Sequence, residues 1–157
     1  MERLRRTVVA RGMKEDASYL LHAILSEIGG NSFDHNLGQW RDVPGVLFAW
    51  EEEESSCIVT LADRGQGVRA TLRRILPAIQ SDEEALRVAF TQRISGRAPE
   101  RRGNGLKFVR EILLQDGTDL LFHSGGAQYR IIGKREVWQE SETSVPGCLA
   151  AVSFPLR

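Results

Sequence analysis

The helical stripe near the start of the chain ends in an unexpected way. Ala17, Leu20, Leu21, Ile24, Leu25 and Ile28 recur at three- and four-residue steps, the pattern of one buried face of an α-helix. If the helix continues at about 100° per residue, Asn31 and His35 stay within roughly 20° of Ile24. Glu27 sits at the stripe's edge, and Glu27, Asn31 and His35 are successive i, i+4 neighbours. A face that should bury apolar groups therefore turns polar and partly ionic at its C-terminal end. Polar groups buried without partners are costly, so the stripe is expected to leave the core there and line a pocket. The plainer reading is a helix that ends at Gly29-Gly30, because a glycine inside a helix costs about 1 kcal/mol. Asn31 would then be a cap or turn residue.

Whatever closes that pocket comes from one domain. The 157 residues can bury a substantial core, and 41% hydrophobic with 27% charged residues is ordinary globular composition. Twenty-one basic and 21 acidic residues cancel, which gives no general attraction to nucleic acid or to a membrane surface. No apolar run approaches the length of a membrane span. The opening Met1-Glu2-Arg3-Leu4-Arg5-Arg6 lacks the apolar segment of a secretion signal, so a cytoplasmic location is expected. Cys57 and Cys148 each sit in a strand-like apolar run and read as reduced, buried thiols.

In chain order, Thr7-Val8-Val9-Ala10 reads as an edge strand and a helix runs from about Glu15 into the opening motif. Residues 46–50 and 57–62 read as paired strands around a glutamate-rich turn. Helical pieces follow from Val68 to about Leu76, stopped at Pro77, and from Ser81, where Ser81-Asp82-Glu83-Glu84 has capping-box spacing. Residues 91–105 are small, polar and basic and read as a long lid-like loop. An amphipathic helix over 106–114 leads to strands at 118–123 and 128–132 around a turn at Ser124-Gly125-Gly126. A polar segment over 133–146 precedes a final strand over 148–154. The expected fold is an α/β (α+β) two-layer sandwich, a mixed, mainly antiparallel sheet with helices on one face.

Three islands carry the chemistry. They are Glu27/Asn31/His35, Asp63-Arg64-Gly65-Gln66-Gly67 after an apolar strand, and Gly103-Asn104-Gly105-Leu106 opening a helix. Alone, the second is a common turn composition, and the third reads as a flexible lead-in with Asn104 near the cap position. Together and in this order they resemble the histidine-kinase-like ATPase superfamily, the Bergerat fold of gyrase, mismatch-repair ATPases, heat-shock chaperones and sensor histidine kinases. The resemblance spans about residues 15–155, with an ATP lid at about 91–105.

The resemblance implies ATP and Mg as cofactors. It makes Asn31 the Mg ligand, Glu27 the general base, and His35 the end of the N box. Asp63 would accept from adenine's amino group, with Gly65 and Gly67 letting the backbone pass close to the base. Gly103, Asn104, Gly105, Leu106 and Lys107 would form the phosphate-binding start of a helix. From Arg93 to Arg110 six cations face one anion, Glu100, and Arg97, Arg101 and Arg102 are the candidates for triphosphate contacts. Arg93 and Arg110 read as part of a solvated helix face. The closing strand carries Gly147-Cys148 where the family often has Gly-Thr near adenine, so Cys148 takes that place. Asp34 and Lys107-Phe108 also depart from the sensor-kinase pattern.

The single-domain length and the Glu-x-x-x-Asn-x-x-x-His spacing look most like stand-alone anti-sigma-factor-type serine kinases. The expected function is a Mg-ATP-binding regulatory protein kinase or ATPase switch with a protein partner, either a regulator or a phospho-acceptor, and with scope for a homodimer. The alternatives are a slow ATP hydrolase, a nucleotide-sensing interaction module without phosphotransfer, or the catalytic domain of a larger sensor histidine kinase. A nucleic-acid surface is disfavoured by the neutral charge and the lack of interleaved aromatics.

Overall fold

The computed structural model describes residues 1–34, 45–94 and 105–156. Among the described residues, five helices, α1 (Glu2–Ala10), α2 (Glu15–Asp34), α3 (Gly67–Arg73), α4 (Asp82–Thr91) and α5 (Gly105–Asp116), pack on one face of a four-stranded sheet. The strands β1 (Val46–Glu52), β2 (Ser56–Asp63), β3 (Asp119–Ile132) and β4 (Arg135–Pro155) lie in the order β1-β2-β4-β3. The expected two-layer sandwich is what forms. Every pairing among the described strands is antiparallel, so the sheet is not mixed.

Two stretches fold differently from expectation. The patch Thr7-Val8-Val9-Ala10 is helical, not an edge strand. Leu4 and Val8, one turn apart, are fully buried, and Glu2 accepts hydrogen bonds from Arg5 and Arg6 at 3.0–3.1 Å. Those arginines hold the Glu2 carboxyl down to about 2. Burial of an apolar face outweighs the weak strand preference of β-branched residues. Arg3 sits 5.8 Å from the Trp50 ring and Arg11 donates to the Glu53 carbonyl at 2.9 Å, fixing α1 to β1 and the β1–β2 turn.

The second difference is the C-terminal hairpin. Ser124-Gly125-Gly126 is not a turn, and 133–146 is not a loop. β3 runs unbroken to Ile132, the chain turns at Gly133-Lys134, and β4 returns for 21 residues. Cross-strand side chains carry this extension. Tyr129, fully buried, stacks on its partner Trp138 at 3.8 Å, and Phe90 of α4 lies 4.6 Å from Tyr129 and 5.1 Å from Phe122. The register shifts at Ser124/Gly125 and again at Gly125/Ala127, so the inward-facing set changes parity from Leu120, Phe122 and Ser124 to Ala127, Tyr129 and Ile131.

Helix α5 is held in its middle. Arg110 makes a two-pronged contact with Glu136 at 2.7 and 2.6 Å, and the Tyr129 hydroxyl donates to the same carboxylate at 2.7 Å. The side chains of Arg110 and Glu136 are about three-quarters buried, so Arg110 is not part of a solvated face. The guanidinium holds the Glu136 carboxyl below the usual carboxylate range, and burial reinforced by Glu136 pushes the Tyr129 hydroxyl well above its own. At α4, Ser81 caps the Glu84 N–H at 3.0 Å as expected, while the Glu84 carboxylate accepts from Gln80 instead of closing on Ser81. Cys57 and Cys148 are unpaired thiols, and burial pushes Cys57 up to about 11. Among the described residues, no helix is long and apolar enough to cross a membrane.

Candidate functional site

Helix α2 does not stop at Gly29-Gly30. A Cβ at Gly29 would lie 3.4 Å from a Leu61 methyl, so the glycine lets α2 press onto β2 and continue to Asp34. The buried stripe then ends on a different residue from the one expected. Ser32, one turn after Ile28, is 6% exposed, while Asn31 is only half-buried. Ser32 donates to Asp63 Oδ2 at 2.9 Å, tying the helix to the last residue of β2.

Asp63 is itself 6% exposed, and its other oxygen accepts from the Gly65 N–H at 2.8 Å. Two donors from opposite sides thus fix the plane of a buried carboxylate. Gly147 of β4 closes the third side. A Cβ there would meet the Asp63 carbonyl, lie 2.5 Å from Asp63 Oδ1 and 2.7 Å from the Gly65 nitrogen, and its φ is +80°. Ser124 organises the neighbouring corner. Its hydroxyl donates to the Gly147 carbonyl at 2.9 Å and accepts from the Val68 N–H, in the first turn of α3, at 3.0 Å. The Cys148 thiol lies 3.6 Å from the same hydroxyl, and Gly67 backs onto it so closely that a Cβ would sit at 3.0 Å. Burial, and after it the Asp63 charge, push the Cys148 thiol up to about 12, which favours the neutral thiol.

A second contact lies one turn back along α2. Glu27 is exposed, and its carboxylate rests against Gly105, where α5 begins. A Cβ at Gly105 would fall on Glu27 Oε2 and lie 3.4 Å from the carboxylate carbon. The positive end of a helix favours a carboxylate at that place. Leu106 is half-buried and packs against the core beside this contact. Lys107 pairs along its own helix with Glu111 at 3.8 Å.

One helix therefore joins the two glycine-bearing elements, with Glu27 against Gly105 and Ser32 against Asp63. Asp63, Gly65, Gly67 and Cys148, all named from the sequence, lie near one another in the structure. Ser32 and Ser124 belong to the same cluster and were missed, although Ser32 lies within about 20° of Leu25 on the helical wheel; Gly147, named only as the neighbour of Cys148, belongs to it too. His35, Arg97, Arg101, Arg102, Gly103 and Asn104 lie outside the described residues. No group of three or more His, Cys, Asp or Glu side chains among the described residues could hold a metal ion. Asn31, half-buried on α2, offers a single amide oxygen to a hard cation.

The chain matches no protein-family model, and no curated protein matches it.

Proposed function

We propose that this chain is a Mg-ATP-binding regulatory domain of the histidine-kinase-like type, acting as a protein kinase or ATPase switch. The observation that supports this best is the double engagement of α2, which holds Glu27 at the start of α5 and Ser32 on Asp63. In this reading adenine lies at Asp63. Its exocyclic amino group donates to a carboxylate whose plane Ser32 and Gly65 already fix. Guanine would present an oxygen there, and a site built to accept a hydrogen bond rejects such a ligand strongly. The absence of a side chain at Gly65 would let the backbone pass close to a planar base.

Asn31 lies one helical turn beyond Glu27 on α2 and is the magnesium ligand of the proposal. Magnesium would supply charge neutralisation for the phosphates. Glu27 orients and deprotonates the attacking hydroxyl or water, the general-base role. Its carboxylate already sits at the helix end that draws anions, so phosphate and Glu27 would share the α5 N-terminus.

The test is titration with a fluorescent ATP analogue in the presence of magnesium. ATP should compete and GTP should not. Asp63→Asn should weaken binding by about tenfold or more, and Glu27→Gln should keep binding while losing γ-phosphate transfer or release. A folded protein that binds no ATP, or binds it equally with Asn at position 63, refutes the reading.

A further inference from the structure

The hairpin of β3 and β4 grips two helices at once. Trp138 of β4 stacks on Tyr129 of β3, and the Arg87 guanidinium of α4 lies 5.0 Å from the Trp138 ring centre. Phe90, near the C-terminal end of α4, meets the Tyr129 ring at 4.6 Å. Glu136, two positions before Trp138 and on the same face of β4, takes Arg110 of α5 with both carboxylate oxygens. The Tyr129 hydroxyl donates to the oxygen that receives Arg110 Nε. One pair of strands thus fixes α4 and α5 relative to each other.

The core beneath does not supply this direction. Val109 and Leu113 of α5 are fully buried and hold the helix down. Apolar contacts of that kind are non-directional, so they leave a helix some freedom to tilt. A two-pronged guanidinium–carboxylate pair fixes direction as well as distance, and this one is buried enough to escape most screening. Arg110 follows Gly105 by about 7.5 Å along the helix axis. A tilt of about 8° at Arg110 therefore moves Gly105 by about 1 Å. Gly105 has no such latitude, because Glu27 Oε2 lies where its Cβ would be.

We infer that Glu136 is a positioning residue: through Arg110, and steadied by Tyr129, it sets the tilt of α5 and so the approach of the α5 N-terminus to Glu27. Its bearing on phosphate chemistry rests on the nucleotide reading above, in which Glu27 and the start of α5 form the phosphate end of the pocket. There a displacement of 1 Å costs about a hundredfold in rate. The base end at Asp63 is held by Ser32, Gly65 and Gly147 and shares no side chain with the Arg110–Glu136 pair.

The test compares wild type with Glu136→Ala, Glu136→Gln and Gly133→Ala. Gly133→Ala strains the same hairpin at its tip, with no atom within 4 Å of the added Cβ, and leaves the ion pair alone. In amide NMR spectra of the protein without nucleotide, Glu136→Ala should move the Gly105 resonance and leave Gly65 in place. Glu136→Gln, which keeps the volume and loses the charge, should do the same to a smaller degree, and Gly133→Ala should move neither. With ligands added, Glu136→Ala should bind adenosine within about twofold of wild type while γ-phosphate transfer or release slows about tenfold or more. A pair that serves stability alone would shift resonances around 110 and 136 and leave Gly105 unmoved, which overturns the inference. So does a loss of rate in Gly133→Ala equal to that in Glu136→Ala. A Gly105 resonance that moves in a protein binding neither adenosine nor ATP supports the positioning of α5 by Glu136 and refutes the nucleotide reading instead.

Discussion

Substituting Gly147 by alanine tests the corner around Asp63 most directly, because two costs apply there and a second glycine isolates one of them. Gly133 in the β3–β4 turn has φ +61° and no heavy atom within 4 Å of an added Cβ. Gly133→Ala therefore meets only the left-handed backbone, about 1–2 kcal/mol. Gly147→Ala meets the same backbone cost at φ +80° and adds overlap with the Asp63 carbonyl, Asp63 Oδ1 and the Gly65 nitrogen. These are backbone atoms and a carboxylate already held by two donors, so they cannot yield as a flexible side chain would. Overpacking of this kind adds about 1–3 kcal/mol, for a total of about 2–5. At about 2–4 °C per kcal/mol for a chain of this size, Gly133→Ala should melt about 2–8 °C below wild type and Gly147→Ala about 4–20 °C below, roughly twice as far. Urea denaturation gives the same comparison at fixed temperature. Nucleotide binding should survive at 133 and fail at 147. Equal melting shifts would mean that β4 does not approach Asp63 as described, and the pocket wall would have to be rebuilt.

Three further outcomes follow from the geometry. Ser32→Ala leaves a buried carboxylate oxygen of Asp63 short of one donor and should cost about 1–3 kcal/mol in chemical denaturation. Glu136→Gln should destabilise at neutral pH by about 1–3 kcal/mol, between surface and buried ion pairs. The Glu136 carboxyl is depressed in the folded state by Arg110, so its stabilisation is present above the unfolded value of about 4.3 and is lost as pH falls through the folded one. The gap between wild type and Glu136→Gln should therefore close in acid denaturation curves below about pH 4. Leu4→Ala should cost about 2–4 kcal/mol and loosen α1 from α2, read as faster amide exchange in residues 2–10.

What the sequence made legible depended on whether a segment announces its own partners. α2 and β2 carry strong periodicity and were placed well. The Ser81 cap and the helix after Gly105 announce themselves through local chemistry. By contrast, Thr7-Val8-Val9-Ala10 has strand-like residues but only one buried position, Val8, which aligns with the buried Leu4 only once the segment is helical. Residues 133–146 look like a loop because their contacts are across the hairpin, with Trp138 on Tyr129 and Glu136 on Arg110. In the site, Asp63 and its glycines were found from one another's spacing. Ser32 contributes through approach to Asp63 from 31 positions away, which no local pattern records, and the close packing of Gly147 on Asp63 shows only in the structure.

The paired irregularities of β3 and β4 have a consequence for how the chain can change length. On β3, Ser124, Gly125 and Ala127 pair with Cys148, Val145 and Glu140, so β4 spends extra residues twice within a few positions. Beyond Ala127 the ladder is regular to the turn, and residues added in pairs there would lengthen the hairpin while leaving every side chain on its own face. A single residue gained or lost between Gly125 and Ala127, or between Glu140 and Cys148, has no such freedom. It must rotate either the Ser124–Gly147 corner or the Tyr129–Trp138 stack out of place. Insertions should thus be tolerated at the Gly133 tip and refused at the Gly125 step, where the hairpin's alternation is joined to that of the site.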